Sequence, residues 1–150
     1  LHTGAAEFDN RALQDRWQVL TLGFTHCADS CPVALAQLSG LRNAMGDEQL
    51  QVIFVSIDPQ RDSAERLDAF THFYSRDIVA VTGEEDQLRR LATSLGLDFR
   101  REGSEAAPRI SHSPTIALIG PDGFLRARLR LGFNTQQAAR QLRTLIAEAS

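Results

Sequence analysis

Cysteine is scarce in this chain: two in 150 residues, both inside the stretch GFTHCADSCPVAL at 23–35. That count excludes a framework of several disulfides, and a chain of this length can bury a core without one. Also missing is any run near the roughly 20 apolar residues that a helix needs to cross a bilayer. No charged-then-apolar leader pattern opens the chain, which begins at Leu1 rather than Met. From that start we expect an upstream signal, anchor or further domain to have been removed. An excess of one charge sign is absent too: 16 Lys and Arg stand against 19 Asp and Glu, a net −3. Scattered charges in that balance argue against nucleic acid or an anionic membrane surface as partner. Repeats, low-complexity tracts and linkers are lacking as well, so residues 1–150 read as one domain.

What is present describes a globular protein, with 43% hydrophobic and 23% charged residues. Residues 19–24 (VLTLGF) form a short apolar run that reads as a buried strand. Val33, Leu35, Leu38, Leu41 and Met45 then recur at near-helical spacing, with Gly46 placed to end the helix. The two cysteines thus sit between strand and helix. Residues 51–57 (QVIFVSI) make a second strand, stopped by Asp58-Pro59. Asp62 and Glu65 resemble a helix start, after which Leu67, Phe70, Phe73 and Tyr74 form one apolar face.

Residues 78–82 read as a short strand, and Leu88, Leu91, Ala92 and Leu95, followed by Gly96, as a third helix. The charged, Gly- and Pro-containing segment 100–111 reads as a surface loop. Strands at 115–119 and 124–131 flank GPDG, a hairpin signal, and a closing amphipathic helix starts at Asn134 or Thr135. The whole order predicts an α/β fold whose sheet begins parallel and ends antiparallel. It is the thioredoxin-like order: a central mixed sheet flanked by helices, with an inserted βα segment at 78–96 and a C-terminal ββα unit.

Cys27 and Cys31 stand four apart, so a helical turn puts both on one face, where their sulfurs can share a metal ion or, with local adjustment, form a disulfide. The start of a helix favours the thiolate that either chemistry needs, and Asp29 between them opposes it weakly. Two soft thiolates suit Cu(I) or Zn, but a buried site wants a third donor. His26 would need a strained turn to join its neighbour on one ion, His72 reads as a solvated helix residue, and His2 is terminal. His112 is the best third ligand, because a thioredoxin-like fold brings the entry of the 115–119 strand near the dithiol; the plain alternative is a loop histidine that caps the strand. Asp58 falls on the same rim, where it either forms the turn before Pro59 or supports the ligands.

GFTHCADSCP closely resembles the Gly-Phe-Thr-His-Cys-Pro-x-x-Cys-Pro signature of the Sco/SenC family. VSIDPQRD at 55–62 is similar to that family's second block, and SHSPTIALIGPDGFL at 111–125 to its third. The blocks occur in family order and bracket nearly the whole chain. The resemblance implies a thioredoxin-like fold that binds one copper, as Cu(I) or Cu(II), through Cys27, Cys31 and His112. It implies a role in assembling the CuA centre of cytochrome c oxidase, with the CuA-bearing subunit as partner, alongside other copper chaperones or thioredoxin-like reductants. It further implies attachment, through an upstream anchor, to the periplasmic face of the bacterial inner membrane or, alternatively, a place in the mitochondrial intermembrane space.

Three positions depart from the family pattern: Ala28 replaces a proline, Ser111 an aspartate, and Pro114 stands where another residue is common. Pro114 resembles the cis-proline of thioredoxins, which lies across from their active dithiol. Two functions therefore stay open. One is a copper-binding chaperone; the other is a thiol–disulfide oxidoreductase in which Cys27 attacks a partner's disulfide and Cys31 resolves it. A peroxidase fits poorly, because Thr25 precedes Cys27 by two residues rather than three.

Overall fold

The structure, a computed structural model, describes residues 16–23, 30–45, 50–58, 62, 64–73, 78–97, 99–104, 107–112, 115–130 and 135–149; at 30–34, 45, 64, 100–104, 107–112, 135 and 145–149 the description is of the backbone. Elements follow in the order β1 (Trp17–Gly23), α1 (Ser30–Met45), β2 (Leu50–Ser56), α2 (Ala64–His72), β3 (Val79–Val81), α3 (Glu85–Ser94), β4 (Phe99–Ser104), β5 (Ala107–His112), β6 (Thr115–Ile119), β7 (Leu125–Arg130) and α4 (Thr135–Ala149). Five strands form one sheet in the order β3-β2-β1-β6-β7. The first three are mutually parallel, β6 runs antiparallel to β1, and β7 runs antiparallel to β6 and so in the direction of the first three. This is the thioredoxin-like arrangement that the element order implies. The inserted β3 extends the sheet at its edge beyond β2, and α3 packs across one face.

Every residue of β1 is buried, as a central strand covered on both faces must be. The period of two divides the core cleanly. Trp17, Val19, Leu50, Val52, Phe54, Ile116 and Leu118 face one way, onto Leu35, Leu38 and Leu41 of α1, Leu67 of α2, and Ala138 and Leu142 of α4. Leu20, Leu22, Ile53, Val55, Ile57, Ala117 and Ile119 face the other, onto Leu88, Ala92 and Leu95 of α3, joined by Leu97 and Phe99. Leu95 closes α3, and Gly96 follows at φ +68, where a side chain would be strained. GPDG turns as its composition predicts: the Gly123 amide donates to the Gly120 carbonyl at 2.9 Å, with Gly123 at φ +86.

Two expectations need correction. Residues 100–111 are not a loop: β4 and β5 form a separate antiparallel ribbon, from Phe99↔His112 at its base to Ser104↔Ala107 at its tip. A two-stranded ribbon outside the main sheet has little apolar surface to show in its sequence, and both its strands are edges, where Pro108 is tolerated. Among the charged positions that suggested a loop, Glu102 and Arg109 are Cα partners across the ribbon. The apolar face of α2 is also narrower than predicted. Leu67 is buried and the Phe70 ring meets Phe54 at 5.7 Å, but Phe73 lies just past the helix and is 85% exposed. Tyr74 lies outside the described residues.

Candidate metal and thiol site

The parallel strands β1 and β2 end together. Gly23 pairs with Ser56, and the Ile57 amide donates to the Gly23 carbonyl at 2.9 Å. From this end the chain leaves β1 toward α1, whose second residue is Cys31. The first turn of α1 contains no acidic residue, and Asp29 directly precedes the helix in the sequence. Cys27, His26, His2 and Pro114 lie outside the described residues, as do Ala28 and Asp29.

His112 reaches the same end from the opposite direction. Strand β6 pairs antiparallel with β1 at Gln18↔Ile119, Val19↔Leu118 and Leu20↔Ala117, so continuing that register sets the start of β6 beside the last residues of β1. His112 is the last residue of β5, three positions before Thr115, a step of about 10 Å at most. The backbone therefore brings Cys31 and His112 to one end of the sheet. His72 does not join them: it is the exposed last residue of α2, eight positions and about 12 Å along that helix from its first residue.

Below this rim lies a buried polar cluster that the sequence reading saw only in part. Asp58 and Asp62 are each 1% exposed, and Ser56 is fully buried. The Ser56 hydroxyl donates to Asp62 Oδ2 at 2.7 Å and accepts from the Asp58 amide at 3.2 Å. The Asp62 amide donates to the Asp58 carbonyl at 3.0 Å, and Arg66 Nε stands 3.8 Å from Asp62 Oδ1. Thr82 donates to the Ser56 carbonyl from the next strand end. Asp62 thus ties the approach to α2 back to the end of β2. The available signal was Ser56 itself, a hydroxyl at the end of an otherwise apolar strand with a carboxylate on each side of Pro59.

Among the described residues no group of three or more His, Cys, Asp and Glu could hold a metal ion. Of the three residues that the family resemblance names as ligands, Cys27, Cys31 and His112, the structure describes the backbone of Cys31 and His112. Two thiols and an imidazole are a donor set that suits Cu(I), and the backbone course at Cys31 and His112 fits such a set.

The family model described as SCO1/SenC matches residues 1–147. A protein of Stutzerimonas stutzeri named "Putative copper-binding protein" is 39% identical over 127 residues, covering 82% of this chain and 62% of its own length. The human "Protein SCO1 homolog, mitochondrial" is 28% identical over 128 residues, covering 81% of this chain and 42% of its own. The chain thus spans less than two thirds of either relative. A solved structure of yeast Sco1 with copper bound superposes with a TM-score of 0.85 at 22% identity, covering 95% of this chain and 82% of that one. That likeness establishes the shared fold.

Proposed function

The chain belongs to the SCO1/SenC family, and from that premise we propose that it binds copper through Cys27, Cys31 and His112 and carries it as cargo to the CuA-bearing subunit of cytochrome c oxidase. The observation that carries this reading is the arrival of Cys31 and His112, from separate parts of the chain, at one end of the sheet. Copper bound to a yeast protein of the same fold supports it, as does the name of the Stutzerimonas stutzeri relative. Two thiolates and an imidazole leave Cu(I) three-coordinate, so a partner's ligand can enter before one of these leaves; Cu(II) takes an added ligand. Residues 1–150 act as a single domain in this reading. Its place is the periplasmic face of the bacterial inner membrane, or the mitochondrial intermembrane space, and the name of the human relative agrees with the latter.

Anaerobic titration of the reduced protein with Cu(I), repeated after oxidation to the disulfide, tests the assignment. Tight binding is expected only when the protein is reduced. Losing a group that merely supports a ligand costs roughly 10- to 100-fold in affinity, so His112→Ala should cost at least that. Unchanged affinity in His112→Ala removes His112 from the site.

A second reading uses the same sulfurs for exchange, favoured by the position of Cys31 in an acid-free first turn of α1. The Cys27 thiolate attacks one sulfur of a partner's disulfide, forming a mixed disulfide and releasing one partner thiolate. The Cys31 thiolate then attacks Cys27 sulfur and releases the second partner thiolate. Two electrons pass to the partner, the cysteines of the oxidase copper site for example, and this chain is left with a Cys27–Cys31 disulfide. Cys31→Ser should then accumulate the mixed disulfide; failure to reduce any protein disulfide at neutral pH removes the reading.

A further inference from the structure

Among the described residues, the ribbon that carries His112 pairs with no strand of the main sheet. Two strands alone are marginally stable in water, so the position of His112 depends on what holds the ribbon's base. On the outgoing side that base is Phe99, the Cα partner of His112, 2% exposed and packed in the core under α3. Over the Phe99 ring lies Arg89 of α3, its Cζ 4.5 Å from the ring centroid. The same guanidinium donates through Nη1 to the Phe99 carbonyl at 3.4 Å and through Nη2 to Glu85 Oε1 at 3.1 Å. Arg89 therefore grips both the side chain and the main chain of one residue, while Glu85 fixes the grip from one helical turn away. Just before Phe99, the Leu97 amide donates to the Ala92 carbonyl at 2.8 Å, tying the approach to the same helix.

We propose that Arg89 is a positioning residue for His112: its clamp on Phe99 fixes the base of the β4–β5 ribbon and so holds the imidazole where it serves as the third copper ligand. This rests on the copper-binding reading above. An aliphatic residue in place of Arg89 keeps much of the packing but loses the carbonyl bond and the cation over the ring, freeing the ribbon to swing from its base. A lysine keeps a cation without the planar fork and should restore function only in part.

The test is a double-mutant cycle in Cu(I) affinity, measured on the reduced protein by competition with a chromophoric Cu(I) chelator. Arg89→Met should weaken binding about two- to five-fold, the size of a cation–ring contact at a partly exposed site. In the His112→Ala background the same change should have no further effect, because the residue acts through His112. Amide hydrogen exchange of the copper-free Arg89→Met protein should rise across β4 and β5 while β1 and α1 stay protected. The proposal is overturned if Arg89→Met leaves affinity unchanged, or if its loss persists undiminished in His112→Ala. If His112→Ala alone changes nothing, the ligand assignment fails and the clamp proposal falls with it.

Discussion

The hydroxyl of Ser56 donates a 2.7 Å hydrogen bond to the Asp62 carboxylate across the 58–62 turn, with both residues shut off from solvent. A buried bond to a charged acceptor contributes about 1.5–3 kcal/mol, and removing the donor leaves the carboxylate short of a partner it cannot replace with water. Ser56→Ala should therefore destabilise the fold by about 2 kcal/mol in urea unfolding. A loss under about 0.5 kcal/mol would show that this bond contributes little.

Gly96 illustrates a cost set by backbone rather than contact. At φ +68 an L side chain is strained by about 1–2 kcal/mol, and an added Cβ runs into the guanidinium of Arg128, which donates to the Gly96 carbonyl at 3.3 Å. Gly96→Ala should lose about 1–2 kcal/mol by the same measurement. Pairing it with Arg128→Ala tells the two causes apart: if the loss disappears in the double variant, crowding rather than dihedral strain was responsible.

Most of this fold was legible because its central elements are covered on both faces. Residues 19–24 and 51–57 are largely apolar since every residue of β1 and all but Gln51 of β2 are buried, and α3 announces both its face and its end through Leu88, Leu91, Leu95 and Gly96. Strand identity failed in the separate ribbon of β4 and β5, where FRREGS and APRISH look like loop sequence. The candidate site was legible as residue types: two thiols and a histidine stand out in a chain so poor in both. The contacts of Asp62 with Ser56 and of Arg89 with Phe99 were not, because these partners meet only in three dimensions.

The exposure of Phe73 separates two aromatic residues that share a predicted helix face. Phe70, partly buried against Phe54, should cost about 2 kcal/mol or more when truncated to alanine. Phe73, 85% exposed, should tolerate serine within about 0.5 kcal/mol. Should Phe73→Ser destabilise as strongly as Phe70→Ala, the narrower face described for α2 is incorrect.

Copper binding should also be readable as stability, without any partner protein. A ligand held by the folded state alone stabilises it by RT ln(1 + [L]/Kd), about 2.7 kcal/mol at a free concentration a hundredfold above Kd. For a chain of 150 residues each kcal/mol moves Tm by about 2–4 °C, so Cu(I) should raise the Tm of the reduced protein by about 5–10 °C. Retention of some copper by the cysteines of the unfolded chain trims that figure, but His112 is distant in sequence and adds its donor only on folding. The shift should thus shrink in His112→Ala and vanish in Cys31→Ser. The oxidised protein should show no shift at all, because a disulfide removes both thiolates at once. A copper-induced rise that survives oxidation would place the metal somewhere other than on the sulfur pair.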